Sequence, residues 1–164
     1  MARIWVISDT HFGHENMYKF VCADGVTRVR PEFASSLEGD VEMVRRWNAV
    51  VRPEDHVYHL GDVCMDTARH LAVVKHLLGH KRLVLGNHDK GKMTEYLAAG
   101  FQKIFGYRWF DGFILSHVPL HPLSLGKRIN VHGHLHQHPP YSEQYRNVSV
   151  ERINYTPVLL ESLR

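Results

Sequence analysis

The sequence predicts an α/β fold in which two sheets pack face to face. Three observations carry this. Up to about residue 100, short apolar runs alternate with helical stripes, the pattern of parallel strands joined by crossover helices. Beyond that point the runs become short and strand-like, separated by Gly, Pro or Asn turns. No linker divides the halves, so residues 1–164 read as a single domain, long enough for one real core.

In chain order, Ile4–Ile7 reads as a short buried strand, ending in the polar, His-rich loop Ser8–Asn16. Residues 17–34 are irregular, and Pro31 with scattered Arg predicts an exposed excursion. Val41, Val44, Trp47 and Val51 recur at three- and four-residue steps and predict a helix over 37–51, capped by Ser35 or Ser36 and followed by Pro53. His56–Leu60 is a second strand, ended by Gly61-Asp62. Ala68, Leu71, Val74 and Leu78 mark a second helix, with Asp66 or Thr67 as cap and Gly79 as stop. Arg82–Leu85 is a third strand. It runs into Gly86-Asn87-His88-Asp89, all turn-compatible residues. A short helix near Thr94–Ala99 follows, closed by Gly100. Phe101–Phe105, Tyr107–Phe110, Phe113–Ser116, Arg128–His132 and Asn147–Val150 read as short strands, and Thr156-Pro157 opens a final short helix.

Hydrophobic content of 44% and charged content of 23% are ordinary for a soluble globular chain. The net charge of +3 comes without a Lys/Arg block, so charge alone does not point to nucleic acid. Cys22 and Cys64 form no paired motif; they read as reduced, buried and inert. The apolar run at the N-terminus is too short for a signal peptide or a membrane helix, which predicts a cytoplasmic location and no membrane partner. Trp5, Trp47 and Trp109 read as core residues.

The unusual number is 14 His, dispersed rather than tagged or repeated. Many fall at predicted strand ends. Asp9 and His11 follow the first strand, Asp62 the second, Asn87 and His88 the third. His117 follows Phe113–Ser116, and His134 and His136 follow Arg128–His132. Loops beyond the carboxyl ends of parallel strands converge on one crevice, so these residues meet in space. Carboxylate, amide carbonyl and neutral imidazole suit borderline or hard divalent metals. The count exceeds what one tetrahedral ion needs. It suits two ions roughly 3.5–4 Å apart with a shared carboxylate. The i, i+2 pairs Asp9/His11 and His134/His136 would each face the metals from an extended loop. Single motifs here are weak; His132-Gly133-His134-Leu135-His136 is the most informative alone.

Asp9-Thr10-His11, Gly61-Asp62, Gly86-Asn87-His88-Asp89, Ser116-His117 and Gly133-His134-Leu135-His136 together resemble the signature blocks of the calcineurin-like metallophosphoesterase superfamily, in the family's order. The style is that of its small bacterial and phage-type stand-alone members. The resemblance implies a four-layer α/β/β/α sandwich. It implies Asp9, His11 and His136 on one metal, Asn87, His117 and His134 on the other, and Asp62 between them. It implies that His88 contacts the phosphate and serves as acid toward the leaving group. Where many members carry Asp three residues after the bridging one, this chain has Met65, with Asp66 next. That leaves open whether Asp66, Asp89 or a backbone carbonyl orients His88. His14, Asn16 and His132 are further candidates for contact with substrate or with the ligands.

The implied activity is hydrolysis of phosphate esters by metal-activated hydroxide. Diesters come before monoesters, and the substrate would be nucleotide- or nucleic-acid-derived among other esters. The cofactors would be two divalent ions, Mn first, with Fe, Zn, Co or Ni as alternatives. The competing reading is a non-catalytic metal-binding scaffold on the same fold. A zinc hydrolase of carbonyl compounds is disfavoured by Asn87 and by an Asp ligand that precedes the His cluster.

Overall fold

The computed structural model describes residues 1–164. Strands β1 (Ile4–Ile7), β2 (His56–His59), β3 (His80–Val84) and β4 (Phe101–Phe105) form a parallel sheet in the order β4-β3-β2-β1. Strands β5 (Arg108–Phe110), β6 (Phe113–Leu115), β7 (Ile129–His132) and β8 (Tyr145–Asn147) form a second sheet in that order. There β6, β7 and β8 are parallel, and β5 is antiparallel to β6. The last strand, β9 (Val158–Leu159), returns to the first sheet and pairs antiparallel with β1.

Strand alternation sorts the side chains into layers. In β1, Trp5 and Ile7 face the helices while Val6 faces the second sheet. Leu83 and Val84 divide the same way in β3. Tyr58, Leu60 and Val84 meet Phe113, Leu115 and Val131 between the sheets. On the first sheet's other face lie α1 (Ser36–Val50), the one-turn helix α2 (Thr67–His70) and α3 (Met93–Ala99). The fourth layer is thin. Leu120 and Leu125, flanking a 3₁₀ turn at Pro122–Ser124, cover Ile114 and Tyr145 on the outer face of the second sheet.

Several expectations shift in the structure. Ser35 caps α1, accepting the Glu38 N–H at 3.2 Å. The buried stripe, however, is Ser36, Gly39, Met43 and Trp47, and Val41 is 62% exposed. The Tyr18 hydroxyl presses against Gly39, where any Cβ would overlap it, and this fixes the helix's rotation. The second helix is α-helical only at α2; Leu71–His76 is 3₁₀. Leu71, Val74 and Leu77 are all buried, and their strict three-residue step is the 3₁₀ period. Residues 17–34 are not a wholly exposed excursion, because Met17, Tyr18, Arg30 and Phe33 are buried. Thr156-Pro157 starts no helix: Val158 and Leu159 pair with the free edge of β1, and Leu160–Leu163 is 3₁₀. Strand β8 precedes the run expected at 147–150. Trp109 lies outside the core on the edge strand β5, 51% exposed, with the Arg128 guanidinium stacked over it at 4.7 Å. Cys22 is half-buried, and Cys64 is buried, which pushes its thiol up to about 12.

At the opposite end of the first sheet from the strand-end loops, Asp55 ties the chain together. It accepts the Arg3 and Arg52 backbone N–H groups at 2.9 and 3.1 Å and the Trp5 indole N–H at 2.9 Å. Burial works against its charge. These donors and the Arg3 guanidinium outweigh it and hold the carboxyl well below the usual carboxylate range. That stabilisation is full at neutral pH and fades as pH falls below about 4. Asp55→Ala is expected to destabilise the fold by about 3 kcal/mol, since it strands a buried indole donor. Urea unfolding at pH 7 checks this, and the loss should shrink in acid.

Candidate metal centre

The loops after β1, β2, β3, β6 and β7 meet at one end of the two sheets, the carboxyl end of the parallel strands. Two groups of ligand-type atoms form there. Those of Asp9, His11 and His136 lie within 4.8 Å of one another, and those of Asp62, His117 and His134 do the same. Asp62 stands between the groups: its Oδ2 is 3.6 Å from His11 Nε2 and 3.4 Å from His117 Nε2. Asn87 joins the second group, with Oδ1 2.8 Å from His117 Nε2 and 3.0 Å from His134 Nδ1. Asp9, His11, Asp62 and His117 are buried, whereas Asn87 and His134 are exposed, so the cluster opens to solvent on their side.

The backbone is strained where these side chains converge. Asp9, His11, Asp62, His134 and His136 account for five of the seven non-glycine residues with left-handed φ. The loops are therefore not extended at these positions. Each i, i+2 pair is aimed by two left-handed turns rather than by strand-like alternation. Small residues permit the crowding. A Cβ at Gly86 would overlap Asp62, and one at Gly133 would overlap Ser8 and Asp9.

Protonation can be read from the partners. His117 Nδ1 lies 2.8 Å from the Leu60 carbonyl and must donate to it. Burial works against a charged His117, but Asp62, Asp9 and the Leu60 carbonyl outweigh it and raise its pKa; without a proton on Nε2, a bare lone pair would face the Asn87 and Asp62 oxygens. Acceptors facing acceptors repel unless a cation or proton lies between them. Asp9 Oδ2 accepts from Ser149 Oγ and from the His134 N–H, both at 2.9 Å, while its buried Oδ1 has no partner. Both ring nitrogens of His11 are likewise buried without a partner. Burial lowers the His11 pKa to about 3, so it stays a neutral imidazole, the form a metal ion takes. Burial raises Asp62, but the His117 partner and the His88 N–H outweigh it and bring it to about 2. An anionic, lone-pair-rich, thiolate-free donor set fits divalent cations.

The remaining candidates separate. His88 lines the cleft, with its ring 5.6 Å from that of His11, and its backbone N–H donates to Asp62 Oδ1 at 2.8 Å. Asp66 does not orient it; Asp66 caps α2 by accepting the Arg69 N–H. Nor does the Asp89 carboxylate, which accepts from the Asp62, Val63 and Gly86 N–H groups at 2.8, 3.0 and 2.8 Å. Asp89 thus binds the loop after β2 to the loop after β3. No hydrogen bond holds His88 Nδ1. His14 lines the cleft beside His11, with ring centroids 5.7 Å apart. Asn16 is exposed and does not line the cleft; its carbonyl accepts the Lys19 and Phe20 N–H groups at 3.0 and 2.9 Å. His132 is buried under the site, held to the Gly133 carbonyl and packed on Tyr145.

The groups behind these side chains carry no motif in the sequence. Arg30 is fully buried; it donates to the Asp9 and Thr10 carbonyls at 2.7 and 3.0 Å and to Glu151 Oε1 at 2.9 Å. The same Glu151 oxygen lies 3.3 Å from His136 Nδ1. Burial pushes the Glu151 carboxyl up, and Arg30 with His136 outweighs it, bringing it to about 2. His59 links the loops after β1 and β2. Its Nδ1 accepts the Gly61 N–H at 3.2 Å, and its Nε2 meets Thr10 Oγ1 at 2.9 Å. The only local signal for any of these was an Arg, a Glu or a His inside an otherwise ordinary stretch.

A family profile described as calcineurin-like phosphoesterase matches residues 2–162. The chain is 35% identical to an uncharacterized protein of Methanocaldococcus jannaschii over 98% of its own length and 89% of that protein's. It is 32% identical to the Gene 66 protein of Mycobacterium phage L5 over 54% of its own length and 41% of the phage protein's. Among solved structures, it resembles a protein of unknown function from Aquifex aeolicus with a TM-score of 0.75 and 28% identity, covering 99% of this chain and 98% of that one. It also resembles Pseudomonas putida nuclease MPE with a TM-score of 0.54 and 22% identity, over 82% of this chain and 62% of that one, a likeness of fold alone.

Proposed function

The chain belongs to the calcineurin-like phosphoesterase family, a metal-dependent one, and on that premise we propose that it hydrolyses phosphodiesters ahead of monoesters at a two-metal centre. The observation that carries the reading is the position of Asp62 Oδ2, 3.6 Å from His11 Nε2 of the first triad and 3.4 Å from His117 Nε2 of its own. Asp9, His11 and His136 would hold one ion, and Asn87, His117 and His134 the other. Asp62 would be shared. Two dications held there would supply Lewis acidity, for activating a water as nucleophile near neutral pH and for offsetting charge on the phosphoryl oxygens. Of the ions this mixed oxygen and imidazole set admits, we place Mn first, with Fe, Zn, Co or Ni as alternatives.

The chain's own residues do the rest. His88 stands beside the triads without belonging to either, so its ring is free to give a proton to the departing oxygen as the P–O bond breaks. Asp89 keeps that loop against the Asp62 loop. The exposed Asn87 and His134 leave the cleft uncovered on their side, which gives room for two ester substituents and supports the preference for diesters. No helix is long and apolar enough to cross a membrane.

The test is hydrolysis by protein stripped with a chelator and then reloaded singly with Mn²⁺, Fe²⁺, Co²⁺, Ni²⁺ or Zn²⁺. The substrates are bis(p-nitrophenyl) phosphate, p-nitrophenyl phosphate and a panel of cyclic nucleotides, dinucleotides and nucleic acid. Stripping should abolish turnover and Mn²⁺ should restore it, with the diester preferred. Metal binding without turnover of any ester would favour the non-catalytic scaffold instead.

Glu151 provides a further check. Its hydrogen bond to His136 Nδ1 sets that ring's tautomer and leaves Nε2 for the ion. Glu151→Ala is expected to weaken metal affinity by about 10–100-fold. It should also destabilise the metal-free protein by about 3–5 kcal/mol, because Arg30 stays buried without its carboxylate. Calorimetric titration with Mn²⁺ and urea unfolding with chelator read the two effects separately.

A further inference from the structure

The segment after the first loop, 20–29, has no role in holding the triads, yet it is ordered into a short hairpin arm. The Phe20 carbonyl accepts the Val29 N–H at 2.9 Å, and the Thr27 carbonyl accepts the Cys22 N–H at 2.7 Å. Val21 and Arg28 form an antiparallel bridge. At the tip the Asp24 carboxylate accepts the Val26 and Thr27 N–H groups, both at 2.9 Å. Both ends of the arm are anchored: Met17 and Tyr18 lie buried just before it, and Arg30 is buried just after it.

This arm forms one wall of a cleft of about 540 Å³ whose other wall carries His11, His88, His134 and His136. Rings lead outward from the triads in steps, from His11 to His14 at 5.7 Å and from His14 to Phe20 at 6.1 Å, edge to face. Phe20 is 48% exposed, an unusual cost for a Phe whose backbone is fixed on both sides. Beside it lie Met17, Val29 and Leu135, with Gln137 and His138 at the same mouth. No Lys, Arg, Asp or Glu lines the cleft.

We propose that the arm is a ring-binding subsite, in which the base of a nucleoside phosphoester stacks on Phe20 while its phosphate lies at the triads. The inference rests on the phosphoesterase reading above and narrows its substrate class. An apolar ring face flanked by amide and imidazole groups suits a flat heterocycle with hydrogen-bonding edges. A phosphorylated Ser or Thr side chain has no ring to place there, and the phenyl ring of a phosphotyrosine has no hydrogen-bonding edge for the flanking amide and imidazole groups. The absence of cations from the cleft argues against a long strand, whose successive phosphates need a basic track. It equally argues against a polyphosphate chain. The substrate class is thus a small nucleoside monophosphoester or diester with one phosphate at the centre.

The experiment compares AMP with ribose 5-phosphate, which keeps the sugar phosphate but has a hydroxyl in place of the base, as ligands of the Mn²⁺-loaded protein by titration calorimetry. AMP should bind at least about tenfold more tightly, the effect of one stacked base. Phe20→Ala should bring the two affinities within about twofold, with ribose 5-phosphate binding and Mn²⁺ stoichiometry unchanged. Phe20→Trp should keep or widen the gap. Equal affinities in the natural protein, no binding of either ligand, or a gap that survives Phe20→Ala with its melting temperature intact would overturn the subsite. Turnover of bis(p-nitrophenyl) phosphate is followed in parallel: its absence counts against the phosphoesterase reading, whereas normal turnover with equal affinities counts against the subsite alone.

Discussion

Asp62→Ala is expected to lower kcat/KM by at least about 10³-fold, about 4 kcal/mol of transition-state stabilisation, and to bring metal content below one ion per chain. The reason is geometric. One Asp62 oxygen faces His11 and His117, each from a different triad, and the other accepts the His88 N–H at 2.8 Å. Its removal deletes the shared donor and also one tether, the His88 N–H bond, on the loop that carries Asn87 and His88, while the Asp89 bonds stay. Asp62→Asn separates the two effects: it keeps an oxygen for the His88 N–H but gives up the charge between two His-rich groups. It should hold the loop and still lose the ions. Metal analysis after gel filtration, with circular dichroism to establish folding, reads both variants. Two ions retained by Asp62→Ala would remove the basis for a shared carboxylate.

The parts of this architecture legible in the sequence were those fixed by local chemistry. Apolar runs ending in Asp, Asn or His marked the carboxyl ends of β1, β2 and β3, and parallel strands bring such ends together whatever lies between. The two metal-type triads draw on residues as far apart as Asp9 and His136, yet each lies in a strand-end motif that was visible. What stayed hidden depends on distant partners. Arg30 is an unremarkable Arg until Glu151 and the Asp9 carbonyl are placed around it. Asp89 reads as a turn residue and a candidate to orient His88, and only the loop after β2 shows that its carboxylate serves three backbone donors instead. Secondary structure failed where tertiary packing decided it. Val158 and Leu159 complete an edge that belongs to β1, and Leu71–His76 tightens to 3₁₀ because its apolar step is three. The left-handed φ values at the metal-type residues were also invisible, since Asp and His carry no signal for them comparable to that of Gly.

His88→Ala is expected to act in the opposite manner from Asp62→Ala: full metal content, with kcat reduced by about 10²–10⁴-fold on esters with poor leaving groups. The ring belongs to neither triad, and the residue's link to Asp62 runs through its backbone N–H, which the substitution keeps. The metal groups should therefore survive the change. The chemistry predicts how the loss depends on substrate. A nitrophenolate departs readily as an anion and gains little from a proton, whereas an alkoxide leaving a sugar needs one in the transition state. Turnover of bis(p-nitrophenyl) phosphate should therefore fall far less than turnover of an alkyl or nucleoside diester. The contrast between the two leaving groups, rather than either rate alone, assigns the proton. A loss of equal size on both substrates would make His88 a phosphate-binding residue only. A loss of metal matching that of Asp62→Ala would place it among the ligands.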